Sequence, residues 1–171
     1  MNERYIRQTM IPGIGEAGQE KLKNAKVLIV GIGGLGSPIS LYLTAAGVGQ
    51  IGLIDDDIVS KSNLQRQILY TEAEIGQSKV ECACRRLSAL NSSTQFETYP
   101  NRFTPDNANR LVSAYDIIVD GCDNAATRYL IDDVCSRFKK PYVYGSISEF
   151  RGQVSVFNCR GESRYSDLYP R

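Results

Sequence analysis

No histidine occurs in this chain. Imidazole general bases, Ser-His hydrolysis and His-ligated zinc are therefore excluded, and any chemistry must use Arg, Lys, Asp, Cys and backbone amides. Groups of these types stand at informative intervals. GIGGLG at 31–36 puts Gly31, Gly33 and Gly36 in the G-x-G-x-x-G spacing, which lets backbone approach a phosphate with no Cβ in the way. Asp55 follows about 20 residues beyond the loop, where a carboxylate can accept ribose hydroxyl protons. Ser62, Asn63, Leu64, Gln65, Arg66 and Gln67 then gather hydroxyl, amide and guanidinium donors near that acid. A planar Arg fork suits phosphate oxygens and stays charged at neutral pH; an ordinary polar loop is the plain alternative. Lys79 opens a helix, against the preference of a cation for the other end, as a phosphate ligand or as an exposed lysine. Asp123 either holds a magnesium ion that also touches phosphate, or caps the next helix, or does both.

The surrounding pattern supplies elements to position these groups. An apolar run at 27–30 predicts a strand buried on both faces. Leu35, Ile39, Leu43 and Ala46 recur at helical spacing, and a second strand over 51–54 delivers Asp55. Strand, glycine turn, helix, strand and acid form one βαβ nucleotide-binding unit. Downstream, the spacing predicts a helix over 78–90 with Val80, Ala83, Cys84, Leu87 and Leu90 buried and Ser78 as its N-cap. A strand over 96–99, a helix over 105–114 and a strand over 115–120 follow. Next come a helix over 125–138 and strands over 141–146 and 153–157, with a turn at Arg151-Gly152. The fold expected is α/β, a Rossmann-like doubly wound and mainly parallel sheet, placing Asp120 and Asp123 at strand carboxyl ends. Residues 1–25 read as an N-terminal helical arm broken at Pro12-Gly13, on which Arg4 and Arg7, taken alone, are solvated arginines.

At 171 residues the chain reads as one domain, 1–171, with a substantial core. A net charge of +1 with mixed signs gives no basic stripe, so nucleic acid is not indicated. No apolar run has the length of a membrane span, and the N-terminus lacks a signal-peptide core, so no membrane partner is expected. The five cysteines, Cys82, Cys84, Cys122, Cys135 and Cys159, form no C-x-x-C pair and read as reduced thiols of a cytoplasmic protein.

Seven segments together resemble one family. RYIRQ at 4–8, GQEKL at 18–22, GIGGLG at 31–36, AAGVG at 45–49, SNLQRQ at 62–67, IGQSK at 75–79 and DGCDNAATR at 120–128 are similar to the ThiF/MoeB/HesA proteins, bacterial relatives of the ubiquitin-activating enzymes. The resemblance implies ATP-dependent adenylation of the C-terminal glycine of a small ubiquitin-like sulfur-carrier protein ending in Gly-Gly. It places Gly34 against the nucleotide, Asp55 at its ribose, and Ser62, Asn63, Leu64, Gln65 and Arg66 along the phosphates. It implies phosphate contacts for Arg66 and Lys79 and magnesium binding by Asp123. Arg7 resembles an arginine that reaches across a dimer into the partner's site, which replaces the solvated reading of the arm and implies a homodimer. ThiS-type and MoaD-type carriers both fit, with thiazole (thiamine) synthesis placed slightly ahead of molybdopterin synthesis.

The chain departs from the family at two points. Where members often begin a pair of C-x-x-C motifs for structural zinc, it reads Arg164-Tyr165-Ser166-Asp167, so zinc is not expected. It also stops before the family's crossover loop and C-terminal segment, and reads as a C-terminally truncated adenylation domain. A nicotinamide oxidoreductase shares the glycine loop and Asp55 but gives no reason for SNLQRQ with Lys79. A non-catalytic scaffold half of an activating enzyme would lack phosphate-contacting residues, whereas Arg7, Arg66, Lys79 and Asp123 are all present.

Overall fold

The apolar run forms β1 (Lys26–Val30), whose side chains divide between two cores in the two-residue rhythm of a strand buried on both faces. Leu28 and Val30 join one cluster with Leu111, Ile118 and Ile131. Val27 and Ile29 join the other with Ile51, Leu53, Val80 and Leu87. The computed structural model describes residues 3–159 and 163–171, so the first two residues of the predicted arm lie outside it. Around β1 the strands β2 (Gln50–Ile54), β3 (Gln95–Tyr99), β4 (Ile117–Asp120), β5 (Tyr142–Ser148) and β6 (Arg151–Phe157) make a six-stranded sheet, in the order β3-β2-β1-β4-β5-β6. The pairs β2–β3, β1–β2, β1–β4 and β4–β5 are parallel, and β6 is antiparallel to β5. The order reverses between β1 and β4, and a crevice opens there at the carboxyl ends of the strands.

Between these strands run α3 (Gly36–Ala46), α4 (Lys79–Leu90), α5 (Pro105–Ala114) and α6 (Ala125–Phe138). Helices α3 and α4 pack on one core, and α5 and α6 on the other. The fold is the Rossmann-like doubly wound sheet expected, with local corrections. In α3 the buried residues are Gly36, Ser37, Ser40 and Thr44. Leu35, Ile39 and Leu43, expected to be innermost, are only half-buried flanks, because small side chains on the inner face let the helix lie close to the sheet. In α4 Cys82 takes the buried place predicted for Cys84, Leu90 is exposed, and Ser78 makes no side-chain cap. The strand predicted from residue 115 begins at Ile117; Tyr115 ends α5 and fills the space above Gly52, where a Cβ would lie 2.3 Å from the Tyr115 hydroxyl. The turn predicted at Arg151-Gly152 falls at Glu149-Phe150, with Glu149 at φ 54°, and both predicted turn residues lie in β6.

The arm contains α1 (Ile6–Thr9) and α2 (Gly15–Asn24). It docks where α3 ends and β2 begins. Gln8 and Gln19 donate to the Ala46 carbonyl at 3.1 and 3.0 Å, and Gly49 N–H donates to Leu22 O at 3.0 Å. The arm therefore lies at the end of the sheet opposite the crevice.

The Arg164-Tyr165-Ser166-Asp167 stretch is fastened by ion pairs. Asp132 of α6 is fully buried and accepts from Tyr165 N–H (2.9 Å), Ser166 N–H (3.3 Å) and Arg164 Nη2 (3.1 Å). This fixes α7 (Tyr165–Leu168) against α6 and sets Tyr165 among Tyr129, Tyr142, Tyr144 and Phe157. Replacing Asp132 by Ala strands the buried Tyr165 N–H, at a cost of about 1–3 kcal/mol. Urea unfolding of Asp132→Ala should show that loss, with residues 163–171 the first to gain amide exchange; an unchanged midpoint would mean the clasp adds nothing.

Candidate active site

The crevice between β1 and β4 is an open cleft of about 1050 Å³, lined by the glycine loop, the acidic turn after β2, the 63–67 segment, Lys79, the 101–105 loop and the turn after β4. The glycine loop owes its shape to close backbone approach. Gly31 has φ +89°, and a Cβ on it would lie 2.8 Å from the Gly121 carbonyl carbon. A Cβ on Gly36 would lie 2.1 Å from Gly31 O. Gly31 and Gly36 thus serve packing; Gly31, Gly33 and Gly34 line the cleft, and Gly36 does not. Because α3 starts directly from the loop, its N-terminal amides and the positive end of its dipole favour an anion at this point.

Asp55 ties the loop to the acidic turn: Oδ2 accepts from Ile32 N–H at 2.7 Å and Oδ1 from Asp57 N–H at 2.9 Å. Each oxygen keeps a lone pair, so two hydroxyl donors can still be taken. Tyr70 braces the loop from behind, its hydroxyl donating to Ile32 O at 2.8 Å. Burial, with Asp55 nearby, pushes that phenol well above its ordinary range, so it remains a donor.

Lys79 is buried rather than exposed, its ammonium 2.8 Å from Asp57 Oδ2. That pairing stabilises a cation in the first turn of α4 and leaves two N–H donors at the cleft wall. Arg66 lies along Gly34, where a Cβ would meet its side chain at 3.4 Å. Asn63, Arg66 and Gln67 line the cleft, whereas Ser62, Leu64 and Gln65 lie off it. Ser62 contacts Ser60, Gln65 turns back to the Ser62 carbonyl, and Leu64 packs on the core. Asp55, Asp56 and Asp57 bring carboxylate oxygens within 4.8 Å of one another. All three already have partners, Asp56 pairing with Arg102 at 3.1 Å, so the triplet supports no metal assignment.

Asp123 lines the opposite wall, exposed, and its carboxylate has no hydrogen bond or ion pair among the described residues. The helix cap is Asn124, which accepts from Thr127 N–H at 2.9 Å, so Asp123 is left for the cleft. Beneath the turn the fully buried Asp120 accepts from Cys122 N–H (2.8 Å), Arg128 Nε (3.1 Å) and Tyr142 hydroxyl (3.1 Å). Burial raises its pKa, opposed by these donors. Arg128 also donates to Cys122 O at 3.0 Å and lies over the Tyr144 ring at 5.3 Å. Arg128 closes the DGCDNAATR segment and is a site residue that the sequence alone does not assign a role. Its signal was a cation near the start of a helix, eight residues after an acid at a strand end. Of the residues singled out for this chemistry, Arg7 is the one placed far from the cleft, exposed on the arm.

Lys79→Met keeps volume and leaves the mostly exposed Asp57 hydrated, so stability should change by about 1 kcal/mol or less. Loss of a charge-assisted hydrogen bond of about 1.5–3 kcal/mol should weaken nucleoside-triphosphate binding about 10–100-fold in titration calorimetry. Wild-type affinity would remove Lys79 from the site.

Known proteins resemble this chain in both sequence and fold. The probable adenylyltransferase/sulfurtransferase MoeZ of Mycobacterium tuberculosis is 48% identical over 171 residues, covering 98% of this chain and 44% of its own. The sulfur carrier protein adenylyltransferase of Thermus thermophilus is 48% identical over 174 residues, covering 99% and 64%. The chain therefore spans less than two thirds of either relative. Among solved structures, PaaA superposes with a TM-score of 0.84 at 29% identity, over 96% of this chain and 54% of PaaA. E. coli MccB, solved with ATP, gives 0.77 at 32% identity, over 85% and 45%. With residues 5–171 matching its description, the chain belongs to the ThiF family.

Proposed function

We propose that this chain transfers AMP from ATP to the C-terminal glycine carboxylate of a small ubiquitin-like sulfur-carrier protein ending in Gly-Gly, releasing pyrophosphate, and that residues 1–171 act as one adenylation domain. The observation that carries this reading is the convergence of Gly34, Asp55, Arg66, Lys79 and Asp123 on one cleft in a chain without histidine. The names of the M. tuberculosis and T. thermophilus relatives, and the ATP bound to MccB, support it. The free cysteines suit a reducing, cytoplasmic setting, and no described helix is long and apolar enough to cross a membrane.

A carboxylate oxygen of the carrier attacks the α-phosphorus and forms a mixed anhydride. The bond from that phosphorus to the bridging oxygen breaks, and its electron pair leaves with pyrophosphate. No proton moves, because a C-terminal carboxylate of pKa about 3.5 is already ionised at neutral pH. The barrier is the approach of two anions and the charge growing on the leaving group, which fixed cations lower. Arg66 and Lys79 take the phosphates, Asp55 the ribose, and Gly34 lies against the nucleotide. The uncommitted Asp123 carboxylate is a hard oxygen donor that fits Mg2+, and such an ion supplies charge neutralisation on the phosphates. Arg7 cannot serve its own cleft from the far end of the sheet, and in this reading it completes the site of a second copy in a homodimer.

ATP–pyrophosphate exchange with Mg2+ and purified ThiS-type and MoaD-type carriers tests the reaction and selects the pathway together. Exchange dependent on one carrier is expected; none with any carrier would sink the reading. Asp123→Ala and Arg66→Ala should each abolish exchange without unfolding. Mixing inactive Arg7→Ala and Arg66→Ala chains should restore about a quarter of wild-type sites, since each mixed dimer holds one intact site. No recovery in chains shown to have mixed would remove the shared site.

A further inference from the structure

Asp123 carries the metal-binding role in the proposed reaction, yet among the described residues nothing holds its carboxylate. Its direction must come from the backbone of the turn. That backbone is gripped one residue earlier, at Cys122: Asp120 accepts its N–H and Arg128 donates to its carbonyl, at 2.8 and 3.0 Å. The two grips are one unit, because Arg128 Nε is bonded to Asp120 Oδ2 at 3.1 Å. Burying Asp120 completely is costly unless its charge is paired, and a cation near the start of α6 is opposed by the helix dipole. Both placements make sense as halves of a buried pair built to fix this turn. A lysine would not replace Arg128, since a single ammonium lacks the fork that spans a carboxylate and a carbonyl at once.

We propose that Arg128 is a positioning residue: through Cys122 it sets where the Asp123 carboxylate points, and so how tightly the site takes a divalent cation together with ATP. The inference rests on the adenylation reading and deepens it. Substitutions behind a metal ligand typically weaken metal binding about 10–100-fold. In the full chain, Arg128→Lys should fold with a near-normal melting temperature and bind Mn2+, in the presence of a non-hydrolysable ATP analogue, about tenfold more weakly by electron paramagnetic resonance. Amide exchange should rise selectively over 121–124, and the analogue's affinity at saturating Mn2+ should stay within about twofold, since Arg128 is not a nucleotide ligand in this scheme. Adding Asp123→Asn to Arg128→Lys should cause no further loss of Mn2+ affinity beyond Asp123→Asn alone, because the two act as one unit.

Unchanged Mn2+ affinity in Arg128→Lys would overturn the proposal. So would a loss confined to the analogue's affinity at saturating Mn2+, which would make Arg128 a direct phosphate ligand. Should Arg128→Lys not fold, the charge-free pair Asp120→Asn with Arg128→Gln leaves no orphaned buried charge and takes its place; the same two outcomes decide it. Failure of the parent reading looks different: wild-type chain would then show no carrier-dependent pyrophosphate exchange, while the Mn2+ titration and the exchange over 121–124 still report on the turn.

Discussion

The carbonyl oxygen of Gly31 sits where three backbone segments meet: the end of β1, the start of α3 and the turn after β4. A Cβ on Gly36 would lie 2.1 Å from that oxygen and one on Gly121 would lie 2.2 Å from it. Gly121 N–H also donates to Val30 O at 2.8 Å, and Gly31 N–H to Ile54 O at 2.8 Å. Contacts of this kind leave no room for a side chain at any of the three positions. They draw the glycine loop, Asp55 and the Asp123 turn to one edge of the sheet. Backbone packing at these glycines therefore brings the two walls of the cleft together.

Charge is distributed over that frame by pairing. Lys79 is held by Asp57, Arg102 by Asp56 and Arg128 by Asp120. The pairs differ in physical weight. Arg102 with Asp56 is exposed and worth little. Asp120 with Arg128 is buried, so removing either partner leaves a charge in a poorly solvated place. What the frame leaves uncommitted is also specific: among the described residues, the Arg66 guanidinium and the Asp123 carboxylate form no ion pair, and they line the same cleft. Fixed, paired charges give the site its shape, and the unpaired ones face whatever enters.

Much of this was legible in the residues because the strongest signals were local. VLIV followed by GIGGLG and, after a helix, by IGLIDDD specifies strand, loop, helix, strand and acid through short-range rules. What was misread depended on partners far away in the chain. Lys79 in a first turn gives no hint of burial, since Asp57 lies 22 residues away and only the fold joins them. Tyr115 read as strand because of its apolar neighbours, but Gly52 opposite leaves space for a ring and Tyr99 bonds its hydroxyl at 3.0 Å. On α3, small polar residues rather than leucines face the sheet, because closeness of approach outweighs side-chain hydrophobicity there. Arg128 and Asp120 were both visible, eight residues apart; their bond was not, since nothing in the spacing says that the arginine folds back over the turn.

The position of the arm follows from the same frame and bears on how a site of this charge can work. In a parallel sheet the helix after β1 carries the chain from the cleft to the opposite end, and the arm packs on that helix's far terminus through Gln8 and Gln19, with the Tyr5 hydroxyl accepting from Asn91 at the end of α4. Arg7 is thereby held away from its own cleft by the geometry of one βαβ unit. Within the cleft, Lys79, Arg102 and Arg128 already face carboxylates, so Arg66 is the cation with no acidic partner among the described residues lining it. Joining a carboxylate to a polyphosphate gathers several negative charges in a small volume, and one unneutralised guanidinium is a weak counterweight. In the proposed reaction, a divalent ion at Asp123 would supply part of the deficit. In the proposed homodimer, an arginine delivered from a second copy would supply more without adding another buried charge to the resting chain, where it would need a partner of its own.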